Sequence, residues 1–208
     1  MARAPSLCGV LLAAGESSRM GADKALLPWP PGQTQDTFLS TAIRLLNAFN
    51  DMVIVVAGNN EASLAPAVYA TSALLVRNPV PERGQLSSLQ VGLEEVLNQG
   101  RDAATIALVD RPPVAPATLR TLIAAFESAV AQEKWAVVPE CQGKHGHPIL
   151  AGREMIEAFL TAPESSTARE VEHANQEHIQ YVAVEDPNVA MNVNTPADYA
   201  SLGTKPAL

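Results

Sequence analysis

Two cations stand five positions apart on a loop of small residues near the start of the chain. Arg19 and Lys24 fall within LLAAGESSRMGADKALLP, residues 11–28, directly after an apolar run. The small residues 13–15 let the backbone approach a ligand closely, and successive N–H groups in such a loop form an anion cradle. Arginine can fork onto phosphate oxygens, and lysine can add a mobile point charge. The stretch therefore favours a phosphate-bearing ligand, although a solvated turn whose cations pair with surface carboxylates would use the same residue types.

The loop matches neither of two common phosphate-binding motifs. The chain has no Gly-Lys-Ser or Gly-Lys-Thr sequence, which excludes a Walker A loop. No GxGxxG follows the first apolar run, which excludes the dinucleotide-binding fingerprint.

One carboxylate also stands at the end of an apolar run. Asp110 follows TIALV, residues 105–109, and precedes Arg111-Pro112-Pro113. Mg²⁺ prefers hard oxygen ligands and keeps several waters, so an aspartate at the carboxyl end of a buried strand can supply one ligand. The same aspartate also fits an ordinary turn residue.

Composition excludes several classes of protein. The 208 residues carry a net charge of −8, only 4% are aromatic, and no cluster of lysines and arginines occurs, so a nucleic-acid-binding function is not expected. Cys8 and Cys141 lack metal-ligand spacing. The N-terminus lacks the apolar core of a signal peptide, and no apolar run of about 18 residues follows. We therefore expect a cytoplasmic protein that does not enter a membrane.

Short apolar runs alternate with amphipathic helices along most of the chain. The patterns predict strands over residues 7–14, 52–57, 74–76, 105–109, 135–138, 148–150 and 179–184. Helices are predicted over residues 38–49, 61–70, from 87 until Gly100, 117–133 and 155–160, and from Thr195 onward. This alternation is typical of an α/β fold: a Rossmann-like, doubly wound, mostly parallel sheet with helices on both faces.

The chain is expected to form a single domain, residues 1–208, that binds ligands beyond the carboxyl ends of its strands. Residues 139–188 interrupt the regular alternation. We expect them to form an added subregion beside the sheet, where a second substrate binds.

Several motifs along the chain resemble those of one protein family. Residues 12–28, LAAGESSRMGADKALLP, closely resemble the LAAGxSxRMGxxKxLLP signature of the molybdenum cofactor nucleotidyltransferases, in particular their cytidylyltransferase branch. Further similarities follow in order: RGQLSSL at residues 83–89, Asp110, Gly146-His147-Pro148, and NVNTPADY at residues 192–199. The resemblance covers nearly the whole chain and is strongest at its start.

The resemblance implies transfer of CMP from CTP to a phosphorylated acceptor, with Mg²⁺ as cofactor and release of pyrophosphate. Molybdopterin is the leading acceptor, and a molybdoenzyme or its chaperone is a candidate protein partner. The GTP-using branch has LAGG where this chain has LAAG, so Ala14 favours CTP.

The resemblance also assigns residues to roles. Arg19, Lys24 and Asp110 are the candidate catalytic residues. The nucleotide-binding residues are expected to be Leu12, Ala13, Ala14, Gly15, Arg19, Lys24, Gly84, Gln85, Ser87 and Ser88. The metal ligands are expected to be Asp110 with Asn192 or Asn194, of which Asn192 is favoured; His147 and Pro148 are the candidate acceptor contacts.

Two departures from the family pattern keep other functions open. Asn192 and Asn194 stand where the family often has aspartates, which also fits a nucleotide-binding regulator or a cofactor-insertion chaperone, and both asparagines could instead cap the following helix. The cytidylyltransferase branch usually has Gly-Asp followed by Gly-Ala-Arg, but this chain has APESSTAR at residues 162–169. A sugar-phosphate or polyol-phosphate nucleotidyltransferase is therefore the alternative enzyme.

Overall fold

The computed structural model describes residues 6–15, 17, 20–33 and 35–202, and Arg19 lies outside them. Within these ranges the strands form one mixed sheet in the order β3-β2-β1-β4-β7-β5-β6, with β8 paired to β5. The strands are β1 (Leu7–Leu12), β2 (Met52–Ala57), β3 (Leu74–Arg77), β4 (Ala103–Leu108), β5 (Ala136–Cys141), β6 (Lys144–His145), β7 (Ile149–Gly152) and β8 (Ile179–Ala183).

The first four strands are parallel, as predicted. In their register, Gly9 lies between Val53 of β2 and Thr105 of β4, so the carboxyl ends of β1 and β4 meet at one edge. Because β1 pairs directly with β4, the loop after β1 opens beside the end of β4. This arrangement confirms the doubly wound α/β fold.

Strand β7 is antiparallel and lies between β4 and β5. The chain leaves β5 through Gln142 and Gly143, both at positive φ, and returns through β6. The connection to β7 contains no helix, and a strand that follows so short a link must run antiparallel. Strands β6, β7 and β8 thus extend the sheet, whereas residues 139–188 were expected to lie beside it.

Seven α-helices cover the two faces of the sheet in the described residues. They are α1 (Phe38–Asn47), α2 (Glu61–Ala70), α3 (Gln85–Asn98), α4 (Pro116–Val130), α5 (Arg153–Thr161), α6 (Ala168–Ala174) and α7 (Pro196–Leu202). Val10 of β1 packs in a cluster with residues of α3, α5 and α6, while its neighbour Leu11 packs with α1, α2 and α7. Alternate side chains of a strand point to opposite faces, so a parallel sheet buried on both faces needs apolar residues at every position.

Helix α3 packs unusually close to the sheet. A Cβ added to Gly92 would lie 2.7 Å from a methyl carbon of Val10 and 2.9 Å from one of Val56. The glycine lets the helix axis approach β1 and β2, and this sets the position of the residues at the N-terminal end of α3.

The sequence patterns did not reveal β6 or α6. Strand β6 has only two residues, and α6 buries only Val171 among its seven residues, so neither has a readable periodicity. One signal was available: Thr167 and Glu170 form a capping box at the start of α6. No helix in the described part of the chain is long and apolar enough to span a membrane.

Candidate active site

The loop after β1 is held in place from the end of β2. Asn60 donates one hydrogen bond to the carbonyl of Ala13 (2.9 Å) and another to the carboxylate of Asp23 (2.7 Å). Asp23 in turn caps the short 3-10 helix Lys24–Leu26 by accepting from the backbone N–H of Ala25 (3.0 Å). The amide of Asn60 therefore ties the start of the loop to the turn that carries Lys24. The sequence analysis did not single out Asn60.

Lys24 brings together three distant segments of the chain. Its Nζ donates to Oδ1 of Asn194 (3.1 Å) and lies 3.9 Å from Oδ2 of Asp110. The backbone N–H of Val193 donates to the carbonyl of Asp110 (2.8 Å), which fixes the distance between these two segments. The side chain of Lys24 is only 14% exposed, so its charge is directed at this site rather than at bulk solvent.

The residues at this point fit a hard divalent cation. Oδ1 of Asp110 is buried and accepts no hydrogen bond from any described residue. The side-chain oxygen Oδ1 of Asn194 lies close by, because Nζ of Lys24 contacts both residues. Both are oxygen ligands of the kind that Mg²⁺ takes. No group of three His, Cys, Asp or Glu residues in the described ranges could form a metal cage, so water and ligand oxygens would complete the coordination.

The two candidate asparagines occupy different positions. Asn194 contacts Lys24, whereas Asn192 is exposed and makes no side-chain hydrogen bond to another described residue. Neither asparagine side chain caps α7, because Thr195 and Asp198 do so. The N–H of Asp198 donates to the hydroxyl of Thr195 (3.2 Å), and the N–H of Thr195 donates to the carboxylate of Asp198 (2.8 Å). Asn194 is thus the better placed candidate for a metal ligand, although Asn192 was favoured from the sequence.

A cleft of about 260 Å³ opens between the β1 loop, the start of α3 and the end of β4. Seven of the residues expected to bind nucleotide line it. Its lining includes Leu12, Ala14, Gly15, Lys24, Gly84, Gln85 and Ser88, together with Asp110.

Two further expected nucleotide contacts lie elsewhere. Ala13 is buried in the hydrophobic cluster below the loop. The hydroxyl of Ser87 is buried, donates to the carbonyl of Gly84 (2.8 Å) and accepts from Asn78 (2.9 Å). Asn78, which is fully buried, also donates to Ser88 (3.0 Å) and so fixes the first turn of α3.

A second, larger cavity of about 630 Å³ adjoins the cleft. The two spaces share Leu12, Gln85 and Leu108 in their walls. The polar side chains of the larger cavity are mostly basic and come from the end of β4, the β6 region and α6. They are Arg111, Lys144, His145, His147, Arg169 and Glu172, in addition to Gln85.

The Gly-His-Pro turn forms one wall of this cavity. The N–H of His147 donates to the carbonyl of Val189 (2.9 Å), and Nη1 of Arg111 donates to the same oxygen (2.6 Å). A Cβ on Gly146 would lie 2.0 Å from that oxygen, so only glycine fits there. Pro148 is buried and borders a separate apolar cavity of about 30 Å³ behind the turn.

His147 is held in its neutral form. Burial lowers the pKa of the imidazole to about 3, and the positive charge of Arg111 lowers it further in the same direction. Its Nδ1 is buried and has no hydrogen-bond partner among the described residues. The expected acceptor contact therefore offers a neutral ring to a ligand, while Arg111 supplies the charge.

The fold and the site together define a nucleotidyltransferase. A lysine and an aspartate face a cleft at the carboxyl ends of parallel strands, and a larger cavity lined by several basic side chains adjoins the same cleft. Residues 9–179 match the family model described as the MobA-like NTP transferase domain, and the chain belongs to this family.

Curated relatives have both guanylyl and cytidylyl specificities. The chain is 32% identical to a probable molybdenum cofactor guanylyltransferase of Rhodopirellula baltica, over 93% of this chain and 90% of the relative. It is 24% identical to the molybdenum cofactor cytidylyltransferase of Escherichia coli, over 91% of this chain and 92% of the relative.

A solved structure has the same fold over nearly the whole chain. The crystal structure of Rv0371c from Mycobacterium tuberculosis superposes with a TM-score of 0.81 at 27% identity, covering 98% of this chain and all of that one. A complex of Rv0371c with manganese superposes with a TM-score of 0.75 at 25% identity, covering 95% of this chain and 97% of that one.

Proposed function

We propose that the protein transfers CMP from CTP to the phosphate of molybdopterin and releases pyrophosphate. The observation that carries this proposal is the junction of the 260 Å³ cleft with the basic 630 Å³ cavity. An acceptor phosphate entering from the cavity would meet the nucleotide beside Leu12 and Leu108, close to Asp110. The names of the curated relatives support a molybdenum cofactor as the acceptor.

The reaction needs positioning and charge balance more than proton transfer. An oxygen of the acceptor phosphate, already ionised at neutral pH, attacks the α-phosphorus, and the bond from that phosphorus to the pyrophosphate oxygen breaks. Lys24 supplies positive charge to the phosphates, and the N–H groups of the β1 loop bind them. Arg19 is proposed to do the same. No general base is required.

Mg²⁺ is the proposed cofactor. Held by Asp110 and Asn194, it would offset the charge that develops on the leaving pyrophosphate. The orphaned Oδ1 of Asp110 supports this assignment, as does the manganese complex of Rv0371c.

Ala14 supports CTP as the nucleotide. Ala14 lines the cleft, and a Cβ added to the neighbouring Gly58 would lie 2.8 Å from the carbonyl oxygen of Ala14 and 3.3 Å from its Cβ. An alanine in this wall takes up more space than the glycine of the GTP-using branch, which favours the smaller base. A methyl group in contact with the base is worth about 1–3 kcal/mol of discrimination.

Calorimetric titration with CTP, GTP, UTP and ATP in the presence of Mg²⁺ tests the nucleotide half of the proposal. We expect the tightest binding for CTP, and Ala14→Gly should reduce the preference for CTP over GTP. Tighter binding of GTP than of CTP would indicate guanylyl transfer instead of cytidylyl transfer. Failure of all four nucleotides to bind would refute a nucleotidyltransferase function.

Pyrophosphate release tests the acceptor half. The assay compares molybdopterin with a panel of sugar phosphates and polyol phosphates at saturating CTP. Release with molybdopterin alone is expected. Release with a sugar or polyol phosphate instead would favour the alternative enzyme, and nucleotide binding without turnover on any acceptor would favour a regulator or chaperone.

A further inference from the structure

One carboxylate stands among the cations of the larger cavity. Among the described residues that line it, Glu172 on α6 is the single acidic side chain, beside Arg111, Lys144 and Arg169. The expected site residues do not include it. Its position in the wall directs it at whatever occupies the cavity.

The carboxylate of Glu172 forms no hydrogen bond or ion pair with another described residue. Arg169 and Arg111 are close enough to lower the pKa of its carboxyl group, yet neither forms an ion pair with it in the described part of the chain. Burial outweighs the two arginines and raises the pKa of Glu172 to about 7. A partly buried carboxyl group without hydrogen bonds from the protein is stabilised when a ligand supplies donors.

Two other polar atoms of the same wall are also unsatisfied. Nδ1 of His147 and Nε of Arg111 are buried and have no hydrogen-bond partner among the described residues. Both side chains line the same cavity as Glu172. Two buried polar atoms without partners and a carboxylate without a protein partner in one cavity indicate a binding site for a polar ligand.

The chemistry of the wall selects the kind of ligand. Arginine and lysine bind a phosphate, whereas a carboxylate accepts two parallel bonds from neighbouring N–H groups. A ring N–H next to an exocyclic amino group, as in a 2-amino-4-oxo heterocycle such as a pterin, presents such a pair of donors. Sugar phosphates and polyol phosphates present hydroxyl groups instead and have no such edge.

We propose that Glu172 determines acceptor specificity by accepting two hydrogen bonds from the cyclic guanidine-like edge of a pterin, while the cations of the cavity hold the phosphate end. This inference rests on the proposed function, because it names the contact by which the acceptor site would recognise molybdopterin.

A matched pair of ligands tests the contact directly. The probes are 6-hydroxymethylpterin phosphate and the corresponding lumazine phosphate, in which an oxygen replaces the 2-amino group. Binding is measured by ligand fluorescence for the unaltered protein, for Glu172→Gln, and for Glu177→Gln as control. Glu177 lies five residues further on, its side chain is 82% exposed, and it is outside the cavity wall.

We expect the unaltered protein and Glu177→Gln to bind the pterin about 10- to 100-fold more tightly than the lumazine. Glu172→Gln should lose this preference while retaining CTP binding and thermal stability. An unchanged preference of Glu172→Gln for the pterin over the lumazine would overturn this inference and leave the proposed function standing. If the unaltered protein binds CTP but not the pterin phosphate, both the inference and molybdopterin as acceptor are overturned, whereas failure to bind any nucleotide would refute the proposed function first.

Discussion

Lys24 is the residue through which the separate parts of the proposed phosphate site meet. Its ammonium group lies between Asn194 and Asp110, and its backbone N–H donates to the hydroxyl of Ser17 in the loop (3.1 Å). In a chain with a net charge of −8, a lysine shielded from solvent supplies local positive charge that the rest of the surface does not. The role of Lys24 can therefore be measured by removing its charge alone.

Replacing Lys24 with methionine keeps most of the apolar stem and removes the charge. We expect the affinity for CTP with Mg²⁺ to fall by about 10- to 100-fold, because charge-assisted hydrogen bonds to phosphate are lost. Isothermal calorimetry measures the effect. Arg153→Met on α5, whose side chain is 54% exposed, is the control and should bind CTP normally. An affinity of Lys24→Met equal to that of the control would exclude Lys24 from phosphate binding.

Helix α3 is the element that carries one wall of the cleft. Gln85 and Ser88 reach the cleft from its first turn, and Asn78 holds that turn by donating to Ser87 and Ser88. The depth of the helix against the sheet depends on Gly92. A change at Gly92 should therefore act on both stability and the site.

Gly92→Ala is expected to destabilise the fold by about 1–3 kcal/mol through overpacking against Val10 and Val56, even though alanine favours a helix by about 1 kcal/mol over glycine. Urea denaturation measures this change as a lower midpoint. Glu94→Ala, at an exposed position of the same helix, should leave the midpoint nearly unchanged. A stability of Gly92→Ala equal to or above that of the unaltered protein would contradict the close approach of α3 to the sheet.

At the scale of the whole molecule, two partly buried titratable groups couple folding to pH in opposite directions. The folded pKa of His147 is about 3, below the 6.5 of an unperturbed histidine, so the unfolded chain binds a proton that the folded chain rejects between these values. Glu172 has a folded pKa of about 7, above its ordinary 4.5. Its contribution to the free energy of unfolding is therefore present at low pH and is lost as the pH rises towards 7.

His147→Gln isolates the first of these effects. The free energy of unfolding of the unaltered protein, relative to that of His147→Gln, should fall as the pH is lowered from about 6.5 towards 3. Urea titrations of both proteins at several pH values measure this difference. His173→Gln, at an exposed histidine, should follow the unaltered protein. A pH-independent difference between His147→Gln and the unaltered protein would mean that His147 is not held neutral by burial.

Much of the fold, and the grouping of the residues proposed to bind the nucleotide, was predictable from local sequence. Strand β2 and helix α2 have the predicted bounds, Met52–Ala57 and Glu61–Ala70, because apolar runs and helical spacing reflect burial directly. The loop residues, Lys24 and Asp110 lie together as expected, since parallel strands place their carboxyl ends at one edge. These features depend on residue type and short-range spacing.

Only the tertiary structure decided the remaining parts of the site. Asn194, rather than Asn192, contacts Lys24 because a backbone bond from Val193 to Asp110 sets the register of two segments far apart in sequence. Glu172 faces the cations of the second cavity because α6 packs on the same face of the sheet as α3 and α5. The sequence by itself determined the class of chemistry, through residues that are neighbours along the chain. The second cavity is built from segments brought together by long-range packing, which leaves no local pattern to read.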